Sequence, residues 1–314
     1  MALSTDISFG EGTKVIKTGN GVWKGFVSKE FRVGNVANGG YLMAIICNAL
    51  KRDQDEQCET GIDSNSDLIN ASLLFLRSGM LDEDCEVRIS GIKRGKTTSV
   101  LSFDLLQQGK SRIQGYATFG KFQDSGDSSA PEWLSKGVLS PDFSLLKQQR
   151  EYKPPHSSGG VKRSTFQKYK WFFTDREAEK MDAIILAKDI KLLDKGEELD
   201  FVCSVQLENE DVITTAAMAS ITDACLPCVK LLAPANNMWV PTLQYSLQFF
   251  PTGRSKNNPL RKVLCRIFTH SADGGFMLED CDIVDPDSGK LLCSSRQSAL
   301  AGGVPQRKAT KNKL

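Results

Sequence analysis

The chain has 314 residues, with 40 Lys plus Arg against 38 Asp plus Glu and a formal net charge of +2. Such a balance excludes a protein held to nucleic acid by phosphate contacts, which needs a basic excess or a concentrated basic stripe. With 40% hydrophobic and 25% charged residues it can bury a sizeable core, and its length predicts about two domains. Every long apolar run is interrupted by charge, which predicts no membrane span. Residues 1–12 carry no basic segment leading into an apolar one, which predicts no secretory leader. Nine scattered cysteines, an odd count, predict reduced thiols in an intracellular protein. Only two histidines are present, His156 and His270, which leaves no His-rich metal site and little room for histidine-based acid–base chemistry.

In chain order, Gly39-Gly40 opens the run Tyr41-Leu42-Met43-Ala44-Ile45-Ile46-Cys47-Asn48-Ala49-Leu50. It predicts a helix apolar nearly all round, hence buried on most sides. Residues 51–63 read as a polar loop. Strand-like runs follow at 68–76, 85–92, 98–106 and 111–122, rich in β-branched and aromatic residues and separated by Gly, Asp and Lys turns. From 121 to 164 the composition shifts to Ser, Pro, Gly, Lys and Gln, predicting a linker with one short helix near 142–150. Residues 212–232 then predict a second small-residue apolar helix, followed by strand-like runs at 242–250, 262–269, 276–284 and 291–301. The boundaries so drawn are a first unit at 1–122, a linker at 123–164, a second unit at 165–302 and a basic, disordered tail at 303–314.

The two units repeat one another. Ser72-Leu73 with Gly79 lies without gaps on Ser246-Leu247 with Gly253, and Gly109-Lys110 with its strand lies on Gly289-Lys290 with its own. Each unit reads as one buried helix followed by an antiparallel sheet. A helix apolar on all faces needs a sheet curled around it, since a flat face leaves half of it wet. The predicted fold class is therefore α+β: a double hotdog, two wrapped helices in one pseudo-dimeric chain.

Equivalent scaffolds should betray function where they differ. Leu68 falls on Thr242 and Ala117 on Gln297, apolar in the first unit and polar in the second. A third oddity is Asp223, within Ser220-Ile221-Thr222-Asp223-Ala224-Cys225-Leu226. An unpaired buried carboxylate costs several kcal/mol, so it needs partners or a raised pKa. The alternative is a helix-terminating Asp satisfied by local backbone, because Pro227 ends the helix just beyond it.

The layout resembles the acyl-CoA thioesterase II family and the related fungal thioesterase-like proteins. The matching pieces are Asn38-Gly39-Gly40-Tyr41, Phe75-Leu76-Arg77, the stretch 91–99, Gln107-Gln108-Gly109-Lys110 and Ser295-Arg296-Gln297. The resemblance implies a hydrolytic site of an Asp, a Thr or Ser, and a Gln, which falls residue by residue on Asp223, Thr242 and Gln297. Those are the positions singled out by the repeat. It also implies hydrolysis of a fatty-acyl or related CoA thioester, with no cofactor and no metal. Many relatives open the first helix with His-Gly-Gly; this chain has Asn38 there.

A thiolate is a good leaving group, so such hydrolysis needs no nucleophilic side chain. Asp223 would serve as general base toward a water, and Gln297 and Thr242 would hold that water and the carbonyl. Backbone N–H groups around Gly39, Gly40 and Tyr41 are the candidate oxyanion donors and substrate-binding groups, although the glycine pair serves close helix–sheet packing equally well. A non-catalytic acyl or polyketide-thioester module of the same fold is the alternative. A hydratase or dehydratase is disfavoured because neither histidine sits beside an acid in a suitable setting.

Other signals are weaker. Cys225-Leu226-Pro227-Cys228 has redox or metal spacing but no second pair. Asp273-Gly274-Gly275 and Asp285-Pro286-Asp287-Ser288-Gly289 read as hairpin turns, His270 as a turn histidine, and the four tryptophans as core or rim. The final Asn312-Lys313-Leu314 is a weak form of the peroxisomal Ser-Lys-Leu address, so a peroxisomal import receptor joins the acyl-CoA substrate among the expected partners. Fusion of the two units already supplies the pairing of a dimer, with a homo-oligomer left open. The expected location is cytoplasmic or peroxisomal.

Overall fold

A computed structural model describes residues 7–123, 148–154, 165–186, 199–232 and 239–302. The short helix α1 (Phe9–Gly12) leads into the hairpin β1 (Val15–Gly19) and β2 (Val22–Val27), then the ribbon β3 (Arg32–Val33) and β4 (Val36–Ala37). Helix α2 (Gly39–Glu59) follows, then β5 (Asp67–Phe75), β6 (Glu83–Arg94), β7 (Ser99–Gln107) and β8 (Lys110–Gly120). In the second half β9 (Arg150–Glu151), β10 (Tyr169–Phe173), α3 (Asp175–Leu186) and β11 (Asp200–Leu207) precede helix α4 (Thr215–Ile221). After it come β12 (Thr242–Phe249), β13 (Lys262–Asp273), β14 (Phe276–Val284) and β15 (Leu291–Leu300).

Thirteen strands make one antiparallel sheet in the order β1-β2-β6-β7-β8-β5-β12-β15-β14-β13-β11-β10-β9. Outward from the β5–β12 seam, β8, β7, β6 and β2 on one side answer β15, β14, β13 and β11 on the other. The double hotdog is therefore present, with one correction. Each half also has strands before its helix, which escaped the sequence because β1 and β2 are short and broken by Gly and Lys.

Strand pairing carries the repeat further than sequence alone. Ala71 faces Ala117 across β5–β8, and Tyr245 faces Gln297 across β12–β15. The register slips between Leu68 and Asn70 in one half and between Thr242 and Gln244 in the other, and again between Gly91 and Lys93 and between Thr269 and Ser271. The bulges thus fall at corresponding places, and Gly109 and Gly289 share a positive φ of 69° in matching turns. That conformation favours glycine.

Helix α2 sits inside the curl, and its residues 40–47, with Ala49 and Leu50, are buried. It packs on α4, the smaller inner helix of the second half. The predicted polar loop at 51–63 is helical up to Glu59, because its polarity is satisfied internally. Trp23 Nε1 donates to Asp53 Oδ1 at 3.1 Å, and Gln54 Nε2 donates to the Asn65 carbonyl at 2.7 Å. Conversely, the helix expected over 212–232 is cut to Thr215–Ile221, a turn, and a 3-10 segment Cys228–Leu232. Pro227 cannot donate the N–H that a continuous helix would need. Arg150, the last residue of the short helix expected near 142–150, pairs in β9 with β10; residues 142–147, with His156, Trp133 and the tail 303–314, lie outside the described residues. Among the described residues no helix is long and apolar enough to cross a membrane.

Candidate active site

The start of α2 meets the end of α4. Asn38 caps α2, its Oδ1 accepting from the Tyr41 N–H at 2.9 Å. Its amide also reaches the other half, donating to the Asp223 carbonyl at 3.0 Å and to Asp223 Oδ2 at 3.2 Å. The Gly40 N–H donates to the same Oδ2 at 2.7 Å. Asp223 itself stands in the turn just past α4, its own N–H donating to the Ser220 carbonyl at 3.2 Å. Its carboxylate therefore does not cap its own helix; the first turn of the other helix receives it. Apolar surroundings raise its pKa to about 6, against the opposing pull of the Gly40 and Asn38 hydrogen bonds.

The glycine pair makes this approach possible. A Cβ on Gly40 would stand 2.6 Å from the Ser220 carbonyl oxygen, and one on Gly39 would stand 2.9 Å from Asp223 Oδ2. Close packing and carboxylate binding are thus one requirement, not competing explanations.

Thr242 and Gln297 are brought together on the sheet. Gln297 Nε2 donates to Thr242 Oγ1 at 2.5 Å, and the Gln297 side chain is buried. Gln297 faces Tyr245 on β12 and Glu279 on β14, and Glu279 faces Thr269 on β13. Side chains directly opposite in antiparallel strands share a face, so Tyr245, Gln297, Glu279 and Thr269 form one transverse row. The Tyr245 hydroxyl shares a hydrogen bond with Ser295 Oγ at 3.3 Å, and burial, with the charge of nearby Asp223 adding to it, holds that hydroxyl protonated. Asp223 thus lies against the row that carries Gln297.

Sequence reasoning missed Glu279 in this row. It is buried, with Oε2 accepting from the Cys228 N–H at 2.7 Å and from Thr269 Oγ1 at 2.9 Å. The signal was available in the repeat once registered, because the strand pairing sets Glu279 against Leu101 of the first half.

The expectation for Tyr41 is corrected. Its side chain is fully buried, stacked on Phe31 with ring centroids 4.2 Å apart, and its hydroxyl donates to the Gly12 carbonyl at 2.6 Å. The N–H groups of Gly40 and Tyr41 are engaged by Asp223 and Asn38, so neither serves as an oxyanion donor in this arrangement.

The remaining motifs resolve into structure. All nine cysteines are free thiols; Cys225 lies in the turn after α4 and Cys228 opens the 3-10 segment, so no single helix carries both. Among the described residues no cluster of His, Cys, Asp and Glu could hold a metal ion. His270 lies within β13, not in a turn, its Nε2 2.7 Å from Asp280 Oδ2, a carboxylate also held by Arg296. Trp23 and Trp171 are core, whereas Trp239 is exposed. At the other end of the helix pair, a cavity of about 500 Å³ is lined by Phe9, Lys14, Asn48, Arg52, Asp211 and Thr214. Counted from the caps Asn38 and Thr214, Cys47 of α2 answers Asp223, so that end lacks its carboxylate.

Residues 27–120 match the model of an acyl-CoA thioesterase N-terminal domain, and residues 161–301 that of an acyl-CoA thioesterase C-terminal domain. No curated protein matches the chain by sequence. Among solved structures, a protein from Thermobifida fusca YX assigned as a thioesterase II is 19% identical with a TM-score of 0.72, covering 94% of this chain and 97% of that one. A hot dog fold protein of unknown function from Alicyclobacillus acidocaldarius is 13% identical with a TM-score of 0.71, covering 94% and 98%. An acyl-CoA thioesterase II, TesB2, from Mycobacterium marinum is 16% identical with a TM-score of 0.62, covering 95% and 98%. At these identities the likeness is one of fold.

Proposed function

This chain belongs to the acyl-CoA thioesterase II family, and we propose on that premise that it hydrolyses a fatty-acyl or related CoA thioester by direct attack of water. The observation that carries this reading is the cross-repeat clamp on Asp223. Its Oδ2 is fixed by Gly40 and Asn38, and Oδ1 is the oxygen that would accept the proton of the attacking water. A carboxylate with a pKa near 6 is mostly ionised at neutral pH, yet basic enough to take a proton in the transition state.

Water loses one proton to Asp223 as its oxygen bonds to the acyl carbon. The thioester carbonyl takes up negative charge, and the Thr242 hydroxyl, ordered by Gln297, donates a hydrogen bond to it. Collapse of the tetrahedral intermediate breaks the carbon–sulfur bond and releases the CoA thiolate, which the proton on Asp223 neutralises. We also assign one hotdog to residues 1–122 and the other to 165–302, joined by the segment 123–164, and assign Asn312, Lys313 and Leu314 as a peroxisomal address.

The test is release of free CoA thiol from a panel of acyl-CoAs by the wild type and by Asp223→Asn. Turnover in the wild type and a loss of roughly a hundredfold or more in the variant is the expected pair of results. Undiminished hydrolysis by the variant would remove Asp223 from the mechanism. Acyl-CoA binding without turnover in the wild type would make the chain a binding module.

A further inference from the structure

The same comparison that singled out Thr242 and Gln297 reaches one residue further. In the first half, the row corresponding to Tyr245, Gln297, Glu279 and Thr269 reads Ala71, Ala117, Leu101 and Gly91. Ala71, Ala117 and Leu101 are buried and apolar. All four positions have therefore diverged together, and a buried carboxylate stands where the sister repeat needs only leucine. A scaffold role alone does not demand this, because Leu101 fills the same place at no electrostatic cost.

Glu279 is connected in two directions. Its Oε2 accepts from the Cys228 N–H at 2.7 Å, at the start of the 3-10 segment that ends the turn bearing Asp223. On the sheet side it takes the Thr269 hydroxyl at 2.9 Å and lies directly across from Gln297. Resting on the hydrolytic reading above, we propose that Glu279 is a positioning residue of that site. It ties the turn that carries Asp223 to the sheet row that carries Gln297, and so fixes the distance between base and amide.

Its surroundings agree with that role. Burial pushes Glu279 up to about 7, and the charge of Asp223 adds to the rise. The thiols of Cys225, Cys228 and Cys281 nearby are all pushed up and remain neutral. His270, Asp280 and Arg296 form their own cluster on the strand positions that alternate with the row, so they belong to the opposite face of the sheet. Asp223 is thus the nearby carboxylate whose charge Glu279 feels.

Two conservative variants separate reach from charge. Glu279→Gln keeps the length and the acceptor oxygen; Glu279→Asp keeps the charge but is one methylene shorter. Expected is near-wild-type kcat for Glu279→Gln and a kcat about tenfold or more lower for Glu279→Asp, with KM within about twofold in both. Thermal melts establish that both are folded. Should the shorter side chain fail to fold, carboxyl-carbon NMR titration takes over. The Glu279 midpoint should then fall in Asp223→Asn, and an unmoved midpoint would overturn the proposal. Any other order of the two variants, including wild-type kcat in both, overturns it as well. Failure of the hydrolytic reading is distinguishable, since Asp223→Asn would then retain full activity.

Discussion

Replacing each of the two glycines by alanine should give different phenotypes, because each meets a different kind of neighbour. At Gly40 the new Cβ would stand 2.6 Å from the backbone oxygen of Ser220 and 3.0 Å from the Cβ of Asp223. A carbon does not approach an oxygen within 3.0 Å, so α2 and the end of α4 must part by at least 0.4 Å. Such overpacking costs about 1–3 kcal/mol, and the better helix propensity of alanine returns at most about 1 kcal/mol. The net loss of about 1–2 kcal/mol lowers Tm by roughly 2–6 °C. Displacing Asp223 by a fraction of an ångström also costs about tenfold or more in kcat. At Gly39 the Cβ instead meets Asp223 Oδ2 at 2.9 Å and Phe75 Cε1 at 3.1 Å, the ends of two side chains that can turn aside. Gly39→Ala should therefore melt within about 2 °C of the wild type while losing activity to a similar degree. Scanning calorimetry paired with thiol-release kinetics measures both. A Gly40→Ala protein with wild-type Tm and wild-type kcat would refute the close helix contact and the clamp built on it.

Because Asp223 must be ionised to accept a proton, log kcat/KM should rise with unit slope below pH 6 and level off above it, with a midpoint near 6. The same raised pKa destabilises the charged fold. The Asp223 contribution to stability is full below its ordinary value of 3.8 and is lost as pH rises through about 6, so Asp223→Asn should melt higher than the wild type at pH 8 and not at pH 3. Asn38→Ala removes both the cap of α2 and a hydrogen bond that lowers the pKa of Asp223. It should lose about 1 kcal/mol in denaturant titration and move the kinetic midpoint upward. Thr242→Val keeps the strand but removes the hydroxyl and leaves the buried Gln297 amide without its acceptor, so kcat should drop by about tenfold or more and stability by about 1–3 kcal/mol. A non-hydrolysable acyl-CoA analogue should titrate at one molecule per chain in calorimetry; two would show that the end of the helix pair lined by Asn48 and Thr214 is also competent.

Much of the sheet was legible because eight strands obey local rules. Alternating β-branched and aromatic residues ended by Gly or Asp turns locate β5 to β8 and β12 to β15 within a few residues. Both inner helices were legible too, but their C-terminal ends were not, for opposite reasons. The polar tail of α2 looked like a loop because its buried partners, Trp23 and the Asn65 carbonyl, are distant in sequence. The stretch after Ile221 looked helical because it is apolar, although Pro227 and the turn before it break the hydrogen-bond ladder. The proposed site residues Asp223, Thr242 and Gln297 stand out in the sequence as polar departures from an apolar repeat. Glu279 does not, because the hairpin joining β14 to β15 (Val284 to Leu291) is longer than the one joining β7 to β8 (Gln107 to Lys110), so the gapless offset that lays Ala117 on Gln297 does not lay Leu101 on Glu279. The oxyanion role given to Gly40 and Tyr41 failed for a similar reason, since their partners come from Asp223, far along the chain, and from a local cap.

The two halves contribute different groups to the proposed site. The second half supplies the carboxylate of Asp223 and the polar row holding Thr242, Gln297 and Glu279. The first supplies the Gly40 N–H and the Asn38 amide that hold the carboxylate still. In a symmetric pair of identical hotdogs, every residue of a site appears twice, so the row and the clamp must be compatible in a single sequence. Fusion removes that constraint. Ala71, Ala117 and Leu101 can then pack as plain core, while their counterparts take up polar work at the other end of the helix pair. The near-balanced net charge of +2 fits the proposed site, which draws on a few desolvated groups at one helix crossing rather than on a field spread over the surface.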